Sequence, residues 1–167
     1  LTQNQMFVGG QTLAEARETV EAKLGEGTTC PCCNQYAKRY RRKLNTGMAI
    51  SIIWLVRTWK ANGEAFVNVP KIAPRRVIAS RPFDKLKLWG LATDLPRTTE
   101  EKKRSGFWRP QILGVEFSEA RIAIPSYLEV FNSKIGAKSA KLITIEEVPK
   151  FNYQEMMATI TEQEGIG

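Results

Sequence analysis

Residues 80–109 read SRPFDKLKLWGLATDLPRTTEEKKRSGFWR, and the order of signals within them frames the rest of the chain. Ser80 is of the residue types that cap helices, and Pro82 falls in the first turn, where a missing N–H is tolerated. Phe83, Leu86 and Trp89 then recur at helical spacing until Gly90 breaks the run, so a helix is predicted over 80–90 with Lys85 and Lys87 on its outer faces. Residues 91–95 have strand character, 96–105 (PRTTEEKKRS) form a charged loop, and 106–109 return as a second strand. The result is a hairpin with a long basic tip. The burial tendency of large aromatics assigns Trp89 and one of Phe107 or Trp108 to the core beneath it.

Working outward, residues 44–60 (LNTGMAISIIWLVRTWK) place Leu44, Met48, Ile52, Leu55 and Trp59 on one helical stripe, widened by Ala49, Ile50, Ile53 and Trp54. This predicts the most buried helix, ended by Asn62-Gly63 and followed by a short β-prone run over 65–69 that Pro70 closes. Before it lies YAKRYRRK (36–43), five basic residues interleaved with two tyrosines. Continuity with Leu44 favours one helix from about Gln35 to Lys60, with Lys38, Arg41 and Arg42 on one side and Tyr36 and Tyr40 on another. Positive charge at a helix N-terminus opposes the macrodipole by roughly a few tenths of a kcal/mol per residue, which favours a functional role for the run.

The flanks carry shorter signals. Thr12-Leu13-Ala14-Glu15 has capping-box spacing and opens a helix over 13–24 that Gly25 stops. Residues 110–120 have helical character with Gly114 as the weak point. Residues 127–131 and 134–137 flank Asn132-Ser133 as a hairpin turn. Thr144-Ile145-Glu146-Glu147 and Asn152-Tyr153-Gln154-Glu155 are both helix starts.

Helix, strand, capped helix and basic-tipped hairpin form the order of a winged helix-turn-helix, so the fold class is α+β: a winged helix-turn-helix core with an N-terminal helix and a C-terminal β-hairpin plus helices. The expected divisions are 1–35 (helix and cysteine turn), 36–120 (winged-helix domain) and 121–167 (hairpin and helical extension). Only ten residues, with Pro70 and Pro74 among them, separate Val69 from Ser80. The first helix of the helix-turn-helix is therefore expected to be short or irregular.

Charge and composition narrow the function. Of 25 Lys+Arg and 17 Asp+Glu, residues 36–109 hold 18 and 5, a local excess of +13 between mildly acidic ends. A concentrated excess favours an anionic partner, because each neutralised phosphate releases counterions. Histidine is absent, which excludes Ser-His-Asp triads, Cys-His dyads and imidazole ligands. Asp84, Asp94, Glu100 and Glu101 have no spacing that fixes a metal or an acid/base pair, so no enzymatic activity is expected. No apolar run is long enough to span a membrane, and the first residues lack the basic-then-apolar order of a secretory signal; a cytoplasmic setting is expected, with a few residues preceding Leu1.

All three cysteines fall in Cys30-Pro31-Cys32-Cys33. Cys30 and Cys33 have C-x-x-C spacing, which supplies two thiolates of a tetrahedral zinc site at about 2.3 Å each. A symmetric homodimer would complete an all-thiolate set; the alternative is a turn with idle thiols, and no βαβ context supports a redox motif.

The run KLKLWGLATDLPRTTEEKKRSGFWRPQILGVEF (85–117) resembles the helix, wing and following helix of MarR-like regulators. More closely, TCPCCNQYAKRYRRKLNTGMA (29–49), FDKLKLWGL (83–91) and RSGFWR (104–109) resemble a family of small phage and prophage proteins, a likeness that covers most of the chain. The resemblance implies a winged-helix core, a phage origin and the cytoplasm of a host cell.

The expected function is non-enzymatic binding of duplex DNA. Arg81, Lys85 and Lys87 would enter the major groove, with Arg81 best suited to bidentate reading of guanine. Lys102, Lys103, Arg104 and Arg109 would act from the wing, Arg75 and Arg76 at the helix entrance, and Lys38, Arg39, Arg41, Arg42 and Lys43 along the phosphate backbone. The alternative is a winged-helix scaffold for an acidic protein partner, a host or replication factor.

Overall fold

The computed structural model describes residues 10–96, 106–132 and 134–165. In chain order its elements are helix α1 (Leu13–Lys23), strands β1 (Thr28–Thr29), β2 (Tyr36–Ala37) and β3 (Tyr40–Lys43), helix α2 (Thr46–Ala61), strand β4 (Val67–Asn68), and helices α3 (Val69–Ile72), α4 (Arg75–Ile78) and α5 (Pro82–Leu88). Strands β5 (Ala92–Asp94) and β6 (Phe107–Pro110), helix α6 (Ile112–Ser118), strands β7 (Ile124–Pro125), β8 (Tyr127–Phe131), β9 (Lys134–Lys138) and β10 (Leu142–Ile143), a 3-10 turn (Ile145–Glu147) and helix α7 (Tyr153–Gly165) complete it. This is a mixed α+β chain with small antiparallel sheets. The described residues divide into a first unit, drawn from 1–42 and 128–138, and a second, drawn from 43–127 and 139–167. Among them no helix is long and apolar enough to cross a membrane.

In the second unit, α2 is the centre. Asn45 caps it, its side chain accepting a hydrogen bond from the Met48 N–H at 3.0 Å. Met48, Ala49, Ile52, Ile53, Leu55 and Val56 are buried, the face that the sequence stripe predicts. Ser51, the one polar residue in that face, lies with Oγ 2.6 Å from the Gly47 carbonyl and 3.0 Å from that of Val77, so its hydroxyl is satisfied without water. Helix α2 ends at Ala61 with Asn62 as its cap, as the Asn-Gly pair predicts.

Strands β4, β6 and β5 pair antiparallel in that order, with Val67 opposite Trp108 and Thr93 opposite Arg109. Phe83 sits between Trp108, ring centres 5.5 Å apart, and Trp54 at 6.4 Å, fastening α5 to the sheet and to α2. Trp89 is buried with Nε1 donating to the Pro125 carbonyl at 2.8 Å, and Trp108 is buried while Phe107 is exposed. The aromatic assignment under the hairpin is borne out. So is the short, irregular segment before α5: Pro70 and Pro74 each open a single turn, α3 and α4.

Gly114 has a structural reason that propensity does not reveal. A Cβ there would overlap the carbonyl oxygen of Leu91 and lie 3.0 Å from Cδ1 of Ile52. Only glycine lets α6 approach so closely.

In the first unit, α1 begins with the predicted capping box: Thr12 Oγ1 accepts from the Glu15 N–H at 3.2 Å, and Glu15 returns the bond to the Thr12 N–H at 2.8 Å. Strands β1 and β2 form a short hairpin, and β3, β8 and β9 form a three-stranded sheet in that order. The predicted hairpin around Asn132 is present as β8–β9, with Phe131 opposite Lys134 and Asn132 in the left-handed region at φ 49°.

The expected helix over 35–60 is corrected. Residues 36–43 are strand, and α2 starts only at Thr46. Two forces favour this. Asn45 is a far better cap than Gln35, and a strand removes five cations from the positive end of the helix dipole. The backbone N–H of Arg39 is satisfied by the Leu24 carbonyl at 2.7 Å instead.

Candidate nucleic-acid interface

The segment 69–89 joins α3, α4 and α5 and carries Lys71, Arg75, Arg76, Arg81, Lys85 and Lys87 against a single acid, Asp84. Most of its large apolar residues are used inward, Ile72 and Ile78 being exposed. Val69, Val77, Pro82, Phe83, Leu86 and Trp89 are buried, whereas Lys71, Arg75, Arg76, Arg81 and Lys87 are exposed and Lys85 is half-buried. One face of three short helices therefore packs, and the outer face carries the cations, with the exposed Ile72 and Ile78 among them.

Local bonds fix part of this surface. Lys87 Nζ lies 2.6 Å from Asp94 Oδ1, linking α5 to β5. Lys85 Nζ donates to the Ser80 carbonyl at 3.2 Å. Ser80 therefore serves as an acceptor, and the residue preceding α5 is Arg81, in left-handed geometry at φ 48°, ψ 56°. For a residue with a Cβ this conformation costs roughly 1–2 kcal/mol. An exposed arginine is held in strained backbone at the head of the helix. Arg109 lies on β6 with its guanidinium 5.1 Å from the centre of the Phe66 ring, a cation–π contact at the edge of the same unit. Lys102, Lys103 and Arg104 lie outside the described residues.

The basic run sits elsewhere. Lys38 and Arg39 precede β3, and Arg41, Arg42 and Lys43 are exposed within it. Arg39 and Arg41 converge on Glu129 of β8 at 3.8 and 3.4 Å, and Arg42 lies over the Tyr40 ring at 5.9 Å. A shallow depression of about 450 Å³ is lined by Gly25, Lys38, Arg39, Tyr40, Arg41 and Glu129. Lys134 and Lys138 of β9, both exposed, add to the charge of this sheet. Sequence reasoning missed them, as it missed Lys71; the cue for Lys71 was its place in the acid-poor stretch.

A larger concavity of about 560 Å³ in the second unit runs between α2 and α7 and includes Lys60, Glu119 and Tyr153. Its charges are used in pairing: Lys60 meets Glu119 at 2.5 Å, and Arg121 bridges Glu116 and Glu119. The Arg121 guanidinium is pushed up by its bond to Glu116, and burial, followed by the nearby Glu146 and Glu119 carboxylates, pushes the Tyr153 phenol up.

The cysteines occupy the turn between β1 and β2, Cys30 half-buried and Cys32 and Cys33 exposed. Backbone hydrogen bonds from Cys33 and Cys32, and a side-chain bond from Cys33, hold the Cys30 thiol below its ordinary range. Burial, and then the neighbouring Cys30, push Cys32 the other way. Compared with family models, curated proteins and solved structures, the chain matches none.

Proposed function

We propose that the second unit is a winged helix that binds duplex DNA without enzymatic activity, with α5 entering the major groove and β5–β6 as the wing. The strand order β4-β6-β5, with α3, α4 and α5 inserted between β4 and β5, supports this reading. Its phage origin rests on the sequence resemblance alone. The observation that carries the proposal is Arg81: exposed, in left-handed backbone, and at the head of α5 within a stretch of six bases and one acid. Glu64 and Lys150 are also exposed and left-handed; what sets Arg81 apart is that its strain coincides with the head of a helix in the acid-poor basic stretch.

In this reading Arg81 reads a base edge, Lys71, Arg75, Arg76 and Lys85 meet phosphates, and the wing residues Lys102, Lys103, Arg104 and Arg109 extend the contact along the backbone. The test separates stability from binding. Arg81→Gly removes the strain along with the guanidinium, so thermal stability is expected to hold or rise by up to about 1 kcal/mol while duplex affinity falls roughly tenfold, within the range for one bidentate contact. Unchanged duplex affinity in Arg81→Gly would sink the proposal.

A second reading has its own observation. Ile112 is 84% exposed and Leu113 41% at the start of α6, beside Arg109 and Trp59 in a concavity of about 580 Å³. Among the described residues the buried Nε1 of Trp59 has no hydrogen-bond partner. An apolar pair next to a cation suits an acidic protein partner with an apolar anchor. Ile112→Ser, which adds no charge beside Arg109, discriminates: it leaves duplex binding intact under the first reading and sharply weakens the partner's binding under the second.

A further inference from the structure

The hairpin β1–β2 closes around sulfur. The Cys30 N–H donates to the Gln35 carbonyl at 2.8 Å and the Asn34 N–H to the Cys30 carbonyl at 2.9 Å, so residues 31–34 form a closed loop between two bonded positions. Asn34 reverses the chain directly after Cys33 with φ 59°, a conformation that asparagine tolerates better than most residues. Pro31, with its ring-fixed φ, stiffens the loop at its first position. The base of the hairpin is equally constrained: Gly27 has φ 96°, and a Cβ there would collide with the Tyr36 hydroxyl.

We propose that Cys30 and Cys33 form one half of a tetrahedral zinc site that a second copy of this chain completes. Composition makes the second copy the natural donor. The chain has no histidine and no cysteine outside residues 30–33. Among the described residues no group of three or more potential ligands converges. Zinc in a structural site takes four ligands, with thiolates at about 2.3 Å, and two C-x-x-C turns related by a twofold axis supply four identical ones. Cys33 is exposed at the hairpin tip, where a second tip can reach it. Cys32, directly beside Cys33 in the chain, is poorly placed to share one tetrahedral centre with it and is no ligand.

The first unit also benefits from such a staple. Of the twenty-five buried apolar side chains among the described residues, it holds four: Ala16, Leu24, Leu128 and Val130. A core this small leaves little margin, and bound metal contributes folding free energy directly. The inference stands independently of the DNA-binding proposal.

The test is a titration of the full, reduced, metal-free chain with Co(II) and then Zn(II), followed by absorbance and by sedimentation velocity. The expected result is saturation at one metal per two chains, the intense visible bands of tetrahedral thiolate cobalt, and a shift from monomer to dimer on adding zinc. Cys30→Ser and Cys33→Ser each abolish the bands, while Cys32→Ser retains them; the stoichiometry of the unaltered chain stands whether or not the serine variants fold. One metal per chain without a change in mass would overturn the proposal, as would no binding at micromolar zinc or loss of the bands in Cys32→Ser.

Discussion

The two units are built from similar strands and differ in what backs them. Among the described residues, the strands of both are two to five residues long, too short to hold together by pairing alone. In the second unit a sixteen-residue apolar helix, α2, lies at the centre, and all four tryptophans belong to that unit. In the first unit the one helix buries Ala16 alone, β9 is exposed along its length, and Tyr36 and Tyr40 face solvent. Short strands suffice where a buried helix supplies the area removed from water. Where none is available, the chain relies on caps, a glycine-tight turn and, in our proposal, a shared metal.

This contrast can be broken or sharpened by mutation, because tryptophan fluorescence reports the second unit only. Leu55→Ala, at a fully buried position of α2, is expected to lower the stability seen by fluorescence by about 2–5 kcal/mol in a urea titration. Gly114→Ala comes next, at about 1–3 kcal/mol, since the Leu91 carbonyl that meets the new methyl is backbone and cannot swing away. Gly25→Ala in the first unit, with nothing within 4 Å, is expected to leave the same transition unmoved. Asn45→Ala removes the α2 cap and costs about 1 kcal/mol by fluorescence. Thr12→Ala removes the α1 cap at a similar local cost, visible as lost protection in hydrogen exchange over α1 and silent in the tryptophan signal. Lys87→Ala, which breaks an exposed pair with Asp94, is expected to cost less than about 1 kcal/mol. A Gly25→Ala effect as large as that of Gly114→Ala would remove the distinction between the units.

How much was legible depends on whether the deciding contact is local. Helix α2 declares itself through Met48, Ile52 and Leu55 at helical spacing; the capping box at Thr12 and the turn at Asn132 are equally local, and all three are present. The burial of Trp89 and Trp108 followed from their size alone. The run 36–43 misled because it has no apolar residue apart from its tyrosines and Ala37, so periodicity is silent there. Its conformation is decided by pairing of β3 with β8 and by the Leu24 carbonyl, which no window of sequence contains. Gly114 was legible as a poor helix former but not as the point of closest approach to Leu91. For the interface, the basic residues of 75–87 were found and fall in one unit, whereas the left-handed backbone of Arg81 and the exposure of Lys71 required the fold.

The central claim is that duplex DNA is held by the α3–α5 face of the second unit and not by the basic sheet of the first. The direct measurement is the salt dependence of binding to a short duplex, comparing the unaltered chain with an Arg75→Ala, Arg76→Ala, Arg81→Ala variant and with an Arg39→Ala, Arg41→Ala variant. For the roughly eight phosphate contacts proposed the log–log slope is expected near −7, reduced by about one unit for each phosphate-binding cation removed. The triple variant should flatten the slope by about two units, for Arg75 and Arg76, and lose further affinity through Arg81, and the double variant should leave the slope unchanged. A slope that stays steep in the triple variant and flattens in the double variant would contradict the account.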